Sequence, residues 1–195
     1  MNNFIEFNYV KNGKSYKTTN QEDFYIDFKN LEMLPKLKEV LANYQKINEI
    51  AEKLINKKID QNDKEYLQLK NLYEKVITNI STDKDLKAVA PKYNRLYEHI
   101  NLGGSILRQW SGFTILTKLP NSLRDRVSCV QTDYDTNTII LWIYKKIKFP
   151  FFSFEIPSNA YVLPVVSIGN TTGHYWNTDG NTFPNDAVDG YSSLR

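Results

Sequence analysis

The residues able to do chemistry are few and widely spaced. Only two histidines are present, His99 and His174. His174 stands in Gly173-His174-Tyr175-Trp176-Asn177-Thr178-Asp179-Gly180, with Asp186 and Asp189 close behind. An imidazole near carboxylates could ligate a metal ion, or pass a proton in a hydrolase or nuclease. Either task needs two partners fixed on one element, and no H-x-x-x-H or H-x-x-E-H spacing supplies them. Asn177, Asp179 and Asn181 alternate like the opening of a calcium loop. Thr182 then stands where that loop turns on glycine, and Val188 where it closes on glutamate. The single cysteine, Cys129, lies in an apolar run with Val127 and Val130 and reads as a buried thiol; alone it can form neither an internal disulfide nor a cysteine zinc site. Gly103-Gly104 and Gly169-Asn170-Thr171-Thr172-Gly173 both lack the lysine of a phosphate loop. No catalytic residue, metal ligand or cofactor is therefore expected. The competing reading is a hydrolase or nuclease using His174 with Asp179, Asp186 or Asp189.

The aromatic residues offer a different chemistry, that of contact. Phe149-Pro150-Phe151-Phe152-Ser153-Phe154-Glu155-Ile156-Pro157 is the densest apolar patch, next to Lys145, Lys146 and Lys148. It can serve as sheet core, as a subunit contact, or as a membrane-inserting tip with the lysines at the headgroups. In residues 138–145 both faces are apolar: Ile139, Leu141 and Ile143 on one, Ile140, Trp142 and Tyr144 on the other. Such a strand is buried on both sides. Tyr175, Trp176, Phe183 and Tyr191 are spread among small polar residues, as in an adaptable contact arm. The expected interface residues are Trp142, Phe149, Phe151, Phe152, Phe154, Tyr175, Trp176, Phe183 and Tyr191.

Period and punctuation place these residues on elements. Residues 4–18 read as a β-hairpin around Asn12-Gly13, which supply the positive-φ positions of a type I′ turn. Residues 24–28 alternate like a strand, with Phe24, Ile26 and Phe28 on one face. Leu34, Leu37, Leu41, Tyr44, Asn48, Ala51 and Ile55 form the stripe of a long helix over 31–57, with Pro35 in its first turn. A second helix over 63–80, capped by Asn62 and Glu65, carries Tyr66, Leu69, Tyr73 and Val76. A short connector makes the two an antiparallel pair. A third, shorter helix is expected over 91–101, with His99 on its surface and Gly103 ending it. Beyond it, residues 113–119, 127–134, 138–145, 151–156 and 161–168 are short β-rich runs separated by turns.

The fold class is thus α+β: an N-terminal hairpin and helical hairpin with a third short helix, then a C-terminal antiparallel sheet or small sandwich. The expected division is 1–102, 103–168 and a C-terminal arm over 169–195. The 25 basic and 22 acidic residues lie mostly before Gly103, whereas all three tryptophans lie after it. A net charge of +3, with acids and bases interleaved, argues against a nucleic-acid face. The start lacks a basic-then-apolar leader, and no apolar run reaches the length of a transmembrane helix. A soluble protein made in a reducing compartment is expected.

A short hairpin (residues 8–17) leading to a long helix (31–57) and a β-rich remainder resembles, in layout, the small head, neck or tail proteins of tailed bacteriophages. The resemblance implies a non-enzymatic structural or assembly subunit of a larger particle, a homo-oligomer or part of a hetero-assembly, incorporated into the virion. A membrane-active protein using Phe149–Phe154 is the remaining alternative.

Overall fold

The computed structural model describes residues 4–12, 14–82, 93–99, 103–132, 138–164, 175–177, 183–184 and 187–194. The chain begins with the expected hairpin, β1 (Glu6–Lys11) and β2 (Lys14–Thr18), and Asn12 at its turn takes φ 51°. Residues 24–28, expected as a strand, belong instead to helix α1 (Gln21–Asp27). Asn20 caps it, its side chain accepting the Glu22 N–H at 3.2 Å. Helical spacing turns Phe24, Tyr25 and Phe28 inward and leaves Ile26 64% exposed, the residue a strand would have buried. Phe24 stacks on Phe7 at 4.4 Å and so joins α1 to the hairpin.

The two long helices are α2 (Leu34–Leu54) and α3 (Lys64–Thr82). Pro35 sits in the first turn of α2, where its missing N–H costs nothing. The cap of α3 is Asp63 rather than Asn62: its Oδ1 accepts the N–H groups of Glu65 at 2.9 Å and Tyr66 at 3.2 Å. Leu37, Leu41, Tyr44, Asn48 and Ala51 on α2, with Tyr66, Leu69, Tyr73 and Val76 on α3, are all buried.

The region expected as a third helix contains strand β3 (Asn94–Tyr97). It turns back into β4 (Ile106–Trp110) through Gly103-Gly104. Gly104 takes φ +71°, and a Cβ there would lie 2.7 Å from the His99 ring. The glycine pair is therefore a hairpin turn and not a helix stop, and His99 packs over it. The remaining strands are β5 (Thr114–Lys118), β6 (Cys129–Gln131), β7 (Thr138–Lys148), β8 (Ser153–Pro164), β9 (Tyr175–Asn177) and β10 (Gly190–Leu194).

They form two sheets. The larger has the order β2-β1-β8-β7-β10-β5 and the smaller β4-β3-β6-β9. Pairing is antiparallel throughout except between β1 and β8, which run parallel. The helices cover one face of the larger sheet and the smaller sheet covers part of the other. Strand β7 shows why both faces of residues 138–145 are apolar. Ile140 and Trp142 join the core under the helices, whereas Ile139 and Leu141 join the core between the sheets. Both cores draw on residues from 183 onward: Leu194 enters the first, Phe183, Val188 and Tyr191 the second.

Candidate interaction surfaces

The contact residues expected from the sequence divide sharply by burial. Trp142, Phe154, Phe183 and Tyr191 are interior to the single chain and spend their apolar area on its own cores. Tyr175 and Trp176 lie on β9, in register with Gln131 and Val130; their side chains are outside the described residues. His174, Asp179 and Asp186 also lie outside them. Asp189 is described, and it serves the fold: its carboxylate accepts the Tyr144 N–H at 2.7 Å, and its backbone bridges Leu119 and Trp142. Residues 190–194, expected as part of an arm, are strand β10 between β7 and β5, every one of them buried. This segment is therefore part of the larger sheet and does not stand off it as an arm.

Two serines hold β10 in place. Its pairing with β5 shifts register between Tyr191 and Ser193, opposite Leu116, which takes φ 46°. The Leu116 N–H is instead accepted by Ser192 Oγ at 2.7 Å, and the same oxygen accepts Trp142 Nε1–H at 2.8 Å. On the opposite face Ser193 Oγ accepts Trp110 Nε1–H at 3.0 Å and Thr114 N–H at 3.1 Å, and donates to the Gly112 carbonyl. A broken apolar alternation in Tyr191-Ser192-Ser193-Leu194 was the only sequence signal for this pair. Gly190 completes the fit, because a Cβ there would lie 2.8 Å from the Thr117 carbonyl oxygen.

The densest charged cluster went unseen in the sequence because its members come from distant segments. Glu155 at the start of β8 meets Arg124 Nη1 at 2.9 and 3.0 Å and Lys118 Nζ at 3.3 Å. Lys118 also reaches the Tyr73 hydroxyl at 3.2 Å and lies 4.8 Å from the centre of the Tyr144 ring. Burial pushes the Glu155 carboxyl up, but hydrogen bonding and charge from Arg124 and Lys118 outweigh it and hold the group below its ordinary value. Burial raises Asp189 above its ordinary value, against the pull of the Tyr144 N–H. Tyr144 is driven far up by burial. These groups bind one another and brace α3, β5, β7 and β8. Among the described residues no group of three or more His, Cys, Asp or Glu is arranged to hold a metal ion.

What faces outward lies elsewhere. The β7–β8 hairpin ends in a turn closed by Phe149 N–H to the Phe152 carbonyl at 2.8 Å. Phe149 and Phe152 are half-buried, whereas Phe151 at the apex is 59% exposed. The smaller sheet ends at β4, where Ile106 is 50% exposed; the larger ends at β2, exposed along nearly its whole length. No described helix is long and apolar enough to cross a membrane. No protein-family model, curated protein or solved structure matches the chain.

Proposed function

We propose that the chain is a non-enzymatic structural or assembly subunit that joins neighbouring copies through the open edge of its smaller sheet. The larger particle would be of the kind tailed bacteriophages build from small head, neck and tail proteins. The observation that carries this reading is β4, among the described residues an end strand of the smaller sheet, with a half-exposed isoleucine at its start. An edge strand offers a row of main-chain donors and acceptors to another strand. Pairing β4 with its equivalent in a second copy would extend the four-stranded sheet to eight and cover both Ile106 side chains. Arg108, the one charged side chain on β4, is exposed and donates to the Tyr191 hydroxyl at 3.2 Å. At one edge of the larger sheet, β2 carries exposed Lys14 and Lys17, which guard it against the same pairing. Self-engagement of Glu155, Arg124 and Lys118 further supports a bracing rather than a reactive role.

Sedimentation velocity over a range of concentrations tests the proposal. The wild type should gain mass with concentration, and Ile106→Lys should remain a monomer with an unchanged melting temperature. A wild type that stays monomeric throughout would sink self-assembly through this edge.

A further inference from the structure

We propose that the tip of the β7–β8 hairpin is a docking site for an anionic phospholipid surface. The tip is built to hold one ring outward. Phe149 packs edge-on against Tyr66 at 6.1 Å, and Phe152 against Tyr73 at 5.8 Å. Both also stack on buried Phe154. The aromatic root is thus clamped to α3, and Pro150 and Phe151 project from it into solvent. The ring pays little ordering entropy on entering an apolar phase, since its mount is already fixed.

The exposed charge on the hairpin is basic. Lys145, Lys146 and Lys148 are exposed on the same hairpin, and among the described residues none pairs with a carboxylate. The Tyr66 contact places the tip beside the start of α3. There the connector from α2 adds exposed Ile55 and Lys58, and the first turn of α3 adds exposed Lys64 and Leu67. Acidic side chains are present at this end too: Glu65 binds Lys57 at 2.7 Å, Asp63 caps α3, and Asp60 is exposed. The lysines of the hairpin therefore set the sign.

This pattern selects the occupant. A second copy of the tip is disfavoured, because a two-fold contact would oppose three lysines with three lysines. A protein socket would have to match one ring and several scattered aliphatic side chains in shape. A bilayer makes no such demand: the ring sinks below the headgroups while lysine stems reach back to the phosphates.

Co-sedimentation with phosphatidylserine/phosphatidylcholine vesicles, and with phosphatidylcholine alone, tests the inference. The wild type should bind the anionic vesicles and release them as salt rises. Each lysine near an anionic surface is worth about fivefold in affinity, so Lys145→Gln/Lys146→Gln/Lys148→Gln should bind about a hundredfold more weakly. Phe151→Ser should bind about tenfold more weakly. All four side chains are exposed, so unchanged thermal melting of both variants establishes that folding is intact. Absence of vesicle binding, equal binding to both vesicle types, or unchanged binding by the triple variant would each overturn the inference. Phe151-dependent binding to poly-glutamate without binding to vesicles would overturn it in favour of an acidic protein. Ile106→Lys leaves the tip intact and should bind vesicles like the wild type, so this outcome is separate from assembly through β4.

Discussion

Replacing Ser192 with alanine removes one oxygen and strands two buried donors. In the wild type that oxygen accepts the Trp142 indole N–H and the Leu116 backbone N–H, and Ser192 and Trp142 are both fully buried. Water cannot reach either donor without opening the sheet. A buried donor left without an acceptor costs about 1–3 kcal/mol, so the pair costs about 2–6 kcal/mol. That is a large share of the roughly 5–15 kcal/mol by which domains are stable. Urea denaturation followed by tryptophan fluorescence measures it, with an unchanged slope establishing that only stability has moved. Trp142→Phe supplies the control, because phenylalanine keeps an aromatic ring and deletes the indole donor. In that background Ser192→Ala strands only the Leu116 N–H, and its cost should fall by about 1–3 kcal/mol. A loss below about 0.5 kcal/mol, the range of ordinary surface changes, would refute the reasoning. So would an equal loss in both backgrounds.

Further outcomes follow from other buried polar groups. Asn48 is buried on α2 with its Nδ2 bonded to Glu52 at 2.8 Å, while its Oδ1 accepts nothing. Asn48→Leu should raise stability by about 1 kcal/mol in urea denaturation, and destabilisation would show that the amide contributes more than it costs. Glu155 and Asp189 should move stability in opposite directions with pH. The depressed folded-state value of Glu155 gives stability that is present above its unfolded value and lost as pH falls through the folded one. Glu155→Gln should therefore melt lower than wild type at neutral pH, the gap closing in acid. Asp189 is raised above 3.8, so its buried charge costs stability at neutral pH. Asp189→Asn should melt higher there, and the gain should vanish as the wild-type carboxyl becomes protonated. Truncation after Ile168 should unfold the protein, since it deletes the buried strand β10; a cooperative melt near the wild-type temperature would contradict the sheet order.

Elements whose signal is local were legible in the sequence. The Asn12-Gly13 hairpin, the leucine and tyrosine stripes of α2 and α3, and the doubly apolar β7 each carry their pattern within one segment. The α+β class followed from them. Two elements were misread for lack of length. Residues 24–28 are few enough to satisfy period two and period 3.6 alike, and the deciding signal was Asn20, a cap just upstream. Around residues 94–97, the spacing of Tyr93, Leu96, Tyr97 and Ile100 suits a helix, yet pairing with β4 and β6 makes a strand. The aromatic patch was visible as a patch, but which rings would face out was not. That depends on Tyr66 and Tyr73 arriving from α3 to cover Phe149 and Phe152 and leave Phe151 bare. The brace of Lys118, Arg124 and Glu155, and the serines under the two tryptophans, are products of tertiary proximity alone.

The position of β10 has a consequence for how the protein is made. Strands β5 and β7 are neighbours only through β10, which leaves the ribosome after both. The parallel partner of β1 is likewise β8, on the far side of both long helices. A nascent chain can form α2, α3 and the first hairpin early, but its larger sheet stays split along a seam until residues 190–194 emerge. Along that seam lie Trp142 and the Leu116 N–H, groups that the strand must cover and satisfy. Joining strands so distant in sequence is slow, and an open sheet edge invites wrong partners while it waits. The interval between synthesis of β7 and arrival of β10 is therefore when the unpaired seam is most open to wrong partners, and pausing of translation within it should lower the yield of native protein.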